Sequence, residues 1–294
     1  MWRKMLRLGL LALATLTPPA FLLAQNHARG IKFERISLEQ GLSQSSARRI
    51  LQDHQGFMWI GTQDGLNRYD GYNFTIYKHD VQDSNSISDN WITSIHESRQ
   101  ALPSPQGMGR DGTLWIGTRG GLNKFNREKE QFTRFVNNPK NPHSLSNNRV
   151  ARIYEDRSGT LWIATPGGLN KFDREKEQCI RFVHDPNDPH SLSHNMISSI
   201  YEDSASRNTL WIGTGDSGLD KFDRDNEQFT HFAHNPKNPN SLSHNYVFAI
   251  HEDHTGMLWI GTIDGLNKFD RQKEQFTRFR HDVGGHDYSP LKLN

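Results

Sequence analysis

One thirteen-residue string constrains this chain more than any other: Leu258 to Asp270, LWIGTIDGLNKFD, written five times with small changes. The other copies are MWIGTQDGLNRYD from Met58, LWIGTRGGLNKFN from Leu114, LWIATPGGLNKFD from Leu161 and LWIGTGDSGLDKFD from Leu210. Their tryptophans are Trp59, Trp115, Trp162, Trp211 and Trp259, so successive copies stand 56, 47, 49 and 48 residues apart. A period of that size means a solenoid, a propeller or an array of like units.

The content of one unit narrows the choice. In the last copy, four apolar runs lie between turn residues: Tyr246 to Ile250, Met257 to Thr262, Leu266 to Phe269 and Gln275 to Phe279. Each is too short for a typical helix and rich in Val, Ile, Phe, Trp and Thr, which predicts strands. Leu258, Trp259 and Ile260 are consecutive, as in a strand buried on both faces. Phe276 and Arg278 share a face of the fourth run, which predicts a partly solvated edge strand. Asp253 and Gly256 bracket the first turn, matched by Asp53 with Gly56 and Asp156 with Gly159; Asp bonds its own backbone there and Gly supplies φ > 0. Asp264-Gly265 is a hairpin signal between the second and third runs. Four antiparallel strands repeated at this period make a propeller blade.

The predicted fold is therefore an all-β propeller of about five blades, near 47–80, 91–136, 149–183, 196–233 and 246–282, within a domain spanning 31–282. Phe33-Glu34-Arg35-Ile36 matches the fourth-run pattern Phe132-Thr133-Arg134-Phe135, so residues 31–37 read as an outer strand. Blade five already has its own. One outer strand too many argues for an open arc, or a piece of a larger ring. The five tryptophans read as packing between blades. Each buries ~150–250 Å², or about 4–6 kcal/mol of gross stabilisation at ~25 cal/mol/Å². Two residues later, Gly61, Gly117, Gly213 and Gly261 (Ala164 in the third copy) allow a neighbouring blade to come close.

Residues 1–24 differ in kind. Arg3, Lys4 and Arg7 precede an apolar stretch from Leu8 to Leu16 and a Pro18-Pro19 break, the pattern of a signal peptide or an N-terminal membrane anchor. An extracytoplasmic, periplasmic location is expected, secreted or tethered. Net charge is +2 and the basic residues alternate with acids in the KFDRE turns, so nothing predicts nucleic-acid binding. Cys179 stands where other copies have Phe and reads as a small buried hydrophobe. Ser98 to Arg110 interrupts the second unit and reads as a flexible surface loop. The stretch 283–294 carries no periodic signal and reads as a disordered tail.

The opening GLS…QDHQGFMWIGTQDGLNRYDG, and four further LWIGT–GLNKFD copies joined by HSLS-N, resemble the two-component regulator propeller repeats. These form the ligand-binding sensor domain of bacterial hybrid histidine kinases and related signalling proteins. The resemblance covers about 31–282. It implies a non-catalytic sensor of a small molecule or glycan, working with a membrane histidine kinase or another output domain. Members of that family carry about seven blades, an immunoglobulin-like domain, a membrane span and an output domain. Five blades without the rest imply a shortened version.

In propellers the second-to-third loops and the inter-blade connectors emerge together at the channel mouth. Positions there that vary between copied units are the candidate ligand residues: Asp64, Arg119, Asp216 and Asp264, with His194 and His244 from the connectors. The recurring Asn148, Asn195 and Asn245 read as turn or capping residues. The histidines recur one per blade (His184, His234 and His281 after the fourth strand), without zinc-ligand spacing. No metal, cofactor or catalytic residue is expected. Asp156-Arg157-Ser158-Gly159-Thr160-Leu161-Trp162 resembles the Asp box of sialidase propellers with one residue more between Asp and Gly. Yet the arginine triad, Tyr–Glu pair and paired carboxylates of such an enzyme are missing. A glycan-acting enzyme and a protein-interaction platform remain open alternatives, since the fold alone decides neither.

Overall fold

The computed structural model describes residues 35–99, 101–104, 107–110, 112–280 and 292–293. The expected signal or anchor segment 1–24 lies outside them, as do residues 31–34 of the expected outer strand; residues 35–37 are not in a strand. The chain divides into units Met1–Arg35 and Ile36–Asn294, and the strands all belong to the second.

Five four-stranded antiparallel sheets follow one another. The first holds β1 (Arg49–Gln52), β2 (Met58–Gly61), β3 (Leu66–Tyr69) and β4 (Phe74–Tyr77). In the second, β5 (Ile92–Glu97) is followed by a separate hairpin of β6 (Ala101–Ser104) and β7 (Gly107–Arg110), then by β8 (Leu114–Thr118), β9 (Leu122–Asn126) and β10 (Gln131–Phe135). The third holds β11 (Arg152–Glu155), β12 (Leu161–Thr165), β13 (Gly168–Asp173) and β14 (Gln178–Phe182). The fourth holds β15 (Ile197–Glu202), β16 (Thr209–Thr214), β17 (Leu219–Asp223) and β18 (Gln228–Phe232). The fifth holds β19 (Val247–Glu252), β20 (Leu258–Thr262), β21 (Gly265–Asp270) and β22 (Gln275–Arg280), on whose edge β23 (Lys292–Leu293) pairs. The stretch read as a surface loop thus carries the β6–β7 hairpin, with four ladder pairs.

Register repeats as faithfully as sequence. Each tryptophan faces the basic residue of the third strand: Trp59↔Arg68, Trp115↔Lys124, Trp162↔Lys171, Trp211↔Lys221 and Trp259↔Lys268. The first strands β1, β5, β11, β15 and β19 contact one another in order, so they line the axis. The blades splay outward from them as a propeller arc.

The second strands β8, β12 and β16 are buried along their whole length, the condition their unbroken apolar runs predict. Each apolar cluster spans two blades. Trp162 and Leu169 of the third blade share one with Leu210, Ile212, Phe222 and Phe229 of the fourth. Four indoles meet the next blade's third-strand Phe nearly edge-on, at ring distances of 5.3 Å (Trp59–Phe125), 5.3 Å (Trp115–Phe172), 5.7 Å (Trp162–Phe222) and 5.2 Å (Trp211–Phe269). Backbones close in accordingly. A Cβ on Gly117 would lie 2.6 Å from Val150 of the next blade, so that a side chain there would force Val150 to shift. The outer faces are bare: Ile50 of the first blade is 63% exposed, and Phe248 and Ile263 of the fifth are 48% and 64% exposed.

Candidate functional site

Antiparallel order puts the first-to-second and third-to-fourth turns at one end of every blade, and the second-to-third loops and connectors at the other. The two ends are built differently.

At the turn end, blades are latched by charge. Asp156 accepts Ser158 N–H and Thr160 N–H on one oxygen, at 3.0 Å each, and the Trp162 indole N–H on the other at 2.8 Å. Arg224 of the next blade donates to that second oxygen at 2.5 Å and to Glu202 of its own blade at 2.9 Å. The geometry recurs with Asp53, Trp59, Arg127 and Glu97, and with Asp203, Trp211, Arg271 and Glu252. Between the second and third blades, Ser98 stands in for the Asp. Arg174 then bonds Ser98 Oγ at 2.7 Å and Glu155 at 2.5 Å. Burial alone would raise the Glu155 pKa, but the His96 hydrogen bond, the Arg99 N–H and the Arg174 charge hold it at about 2. Trp115 Nε1, buried, has no acceptor among the described residues. Trp115 Nε1 apart, the carboxylates and arginines of the latches satisfy one another and are structural.

At the loop end, the predicted residues part company. Asp64 pairs with Lys78 at 2.7 Å, and Asp264 with Arg280 at 2.7 Å. Asp216 is exposed. His194 Nδ1 accepts Met196 N–H at 3.1 Å and His244 Nδ1 accepts Tyr246 N–H at 2.8 Å, the turn bond that Asp89 makes to Trp91 and Asn147 to Arg149. The next residue, Asn148, Asn195 or Asn245, accepts the backbone N–H of Asn137, His184 or His234. The connector asparagines and histidines are thus spent on holding the connectors in shape. His281 lies outside the described residues. Among the described residues no His, Cys, Asp and Glu gather as a metal site would require. Cys179 is buried, which pushes its thiol up to about 12.

Arg119 is different. Its guanidinium carbon sits 3.4 Å from the centre of the Trp91 ring, and that of Arg48 lies 5.3 Å from the same ring. Arg49 reaches across from β1 to donate to Thr93 O at 2.7 Å and to Arg48 O at 2.8 Å. With Arg149 these side chains line a cleft of about 200 Å³ at the start of the first strands of the first three blades. Of the residues singled out by variation between copies, Arg119 alone lies in it. Arg48, Trp91 and Arg149 stand at the starts of the first strands rather than in the loops, and Trp91 and Arg149 differ there from Met196 and Tyr246 at the matching positions.

The family profile described as two component regulator propeller matches residues 41–64, 144–167 and 241–264, each running from a connector's end to a second-to-third loop. Those three stretches match two-component regulator propeller repeats. A solved structure, the extracellular domain assigned to a hybrid two component system of B. thetaiotaomicron, superposes on this propeller with TM-score 0.68 and 30% identity, covering 83% of this chain and 31% of that one. Histidine kinase P4 of Formosa agariphila is 50% identical over 56 residues, 19% of this chain and 4% of the kinase. PorZ, a surface component of the type-IX secretion system of Porphyromonas gingivalis, shares the fold at TM-score 0.52 and 17% identity. The chain therefore spans less than a third of the solved extracellular domain and a small fraction of the kinase. No helix among its described residues is long and apolar enough to cross a membrane.

Proposed function

We propose that this chain is a non-catalytic, extracytoplasmic sensor module of a two-component-type system, a propeller that binds a small molecule or glycan at its loop end. Its output is given to a membrane histidine kinase or another signalling domain. The observation that carries this is the contrast between the ends. At the turn end the repeats are kept alike because each residue serves the latch. At the loop end, Arg48, Trp91, Arg119 and Arg149 break the repeat and converge on one cleft. The likeness to an extracellular domain of a hybrid two component system supports the same reading. The latches supply a route by which strain at the cleft reaches neighbouring blades, since each arginine is shared between two of them.

A thermal-shift screen of the full chain against a small-molecule and glycan library tests this. A ligand at a hundred times its Kd contributes about 2.7 kcal/mol, a rise of several degrees for a domain of this size. A specific, saturable shift that disappears when cleft residues are replaced supports sensing. Turnover of a glycoside would overturn it in favour of an enzyme. No shift, together with a co-purifying protein, would overturn it in favour of an interaction platform.

A further inference from the structure

At the turn end of the seams an arginine is paired with carboxylates, as Arg127, Arg224 and Arg271 show. The cleft breaks that habit. Among the described residues none of Arg48, Arg49, Arg119 and Arg149 is in an ion pair, although Arg119 and Arg48 share one indole. The Gln63 amide, with its oxygen turned to Arg48, accepts from Nε and one terminal nitrogen at 3.0 and 2.8 Å, which satisfies donors but neutralises nothing. Arg152 follows on β11. Burial first, and the like charge of Arg49 second, lower its pKa.

The scaffold does not need this charge. Strand pairing sets Arg49 opposite Gly61 and Arg152 opposite Ala164, where the fourth and fifth blades have Ser199 and Ala249 opposite Gly213 and Gly261. Trp91 and Arg149 precede Ile92 and Val150 where Met196 and Tyr246 precede Ile197 and Val247. Those blades form the same sheets without any of the arginines. Guanidinium groups match planar carboxylates and tetrahedral oxyanions through paired N–H donors. Each Arg119 N–H and each Arg149 side-chain N–H is without a protein acceptor among the described residues. At about 200 Å³ the cleft is smaller than a typical pocket for a whole ligand, about 300–1,000 Å³. It suits the charged group of a ligand whose remainder stays outside, rather than a long polyanion.

We propose, building on the sensor reading, that the ligand is an anion presenting carboxylate or sulfate groups to Arg119, Arg48 and Arg149, with Trp91 as the positioning residue that holds two guanidinium groups in place. Titration calorimetry on the full chain with tri-galacturonate, a sulfated disaccharide and inorganic sulfate tests this, with maltotriose as the neutral probe. A carboxylate or sulfate probe binds, and maltotriose does not. Raising NaCl from about 0.05 to 0.5 M weakens binding, because exposed charges are screened. Arg119→Ala and Arg48→Ala each raise Kd about tenfold or more, the scale of a lost charged hydrogen bond. Trp91→Phe keeps most of the affinity that Trp91→Ala loses, while Lys140→Ala on an exposed connector changes nothing. Equal binding by wild type and Arg119→Ala, or no binding of any anionic probe at about millimolar concentration, overturns the proposal. Which of the two ideas fails is readable from the screen. If a neutral ligand shifts the melting temperature while the anions do nothing, the anion assignment falls and sensing stands; if no ligand of any charge binds, both fall.

Discussion

The seam between the third and fourth blades and the outer face of the fifth are written in almost the same letters. LWIAT of β12 and LWIGT of β20 differ by one methyl group, and Trp162 and Trp259 each give their indole N–H to an Asp at 2.8 Å. Their surroundings are not alike. Trp162 is 1% exposed and meets Phe222 of the next blade, whereas the nearest ring to Trp259 is Phe279 of its own blade, at 5.6 Å. Val150 presses on Gly117 in the second blade, but a Cβ on Gly261 would meet Phe248 and Ala249 of its own blade, at 3.2 and 3.5 Å. A repeat therefore specifies a blade; the stabilisation at its face comes from whatever stands next to it.

The comparison breaks most visibly at the two indoles. Trp162→Ala should cost about 3–5 kcal/mol, the usual loss for a large aromatic taken from a packed core. Trp259→Ala should cost less than half as much, since no blade among the described residues packs against it. Urea unfolding of both variants decides the matter. Equal losses would mean that the indoles stabilise their own blades and the seams contribute little.

How far the sequence could be read follows the same division. The blade count, the strand order, the burial of β8, β12 and β16 and the turn role of Asp53, Asp156 and Asp253 are local, and the recurring letters carry them. The latch was not legible. Arg224 looks like a solvated turn residue in KFDRD, and only the structure brings it to Asp156, 68 residues earlier. The cleft was half legible. Arg119 varies among loops that otherwise match and was picked out for that, but nothing in its spacing says that it lies on Trp91. Asp64 and Asp264 lie outside this cleft: each answers a basic residue, Lys78 or Arg280, at the end of the fourth strand of its own blade.

The aspartates sharpen the comparison at a smaller scale. Asp156→Ala leaves Arg224 paired with Glu202 alone and strands the buried indole N–H and two turn amides, and should cost about 3–5 kcal/mol, at about 1–3 kcal/mol for each buried group left unsatisfied. Asp253→Ala should cost clearly less, because the fifth blade has no following arginine among the described residues. A double-mutant cycle between Asp156→Ala and Arg224→Ala should give a coupling of about 1–3 kcal/mol. Additive losses would show that the arginine does not hold the blades together.

The smallest effect is a difference inside one blade. In four blades Asn67, Asn123, Asn170 and Asn267 donate to the second strand's backbone and to a connector serine, and their oxygen accepts that serine's N–H. The fourth blade has Asp220, which cannot donate, and Ser193 Oγ is left without a partner among the described residues. His231 compensates: one ring nitrogen lies 2.9 Å from Asp220 and the other 3.0 Å from Pro189 O. Both partners are acceptors, so the protonated ring fits. The Asp220 hydrogen bond and charge outweigh burial and raise the histidine's pKa. A raised folded-state pKa adds stability that is whole below the ordinary histidine value and is lost as pH rises through the folded-state value. Between about pH 6 and pH 9 the wild type should lose about 1 kcal/mol, the scale of one hydrogen bond. Asp220→Asn with His231→Arg restores the pair found in the second, third and fifth blades. Urea midpoints for that variant should be flat over the same range, and an unchanged pH slope would place the titrating group elsewhere.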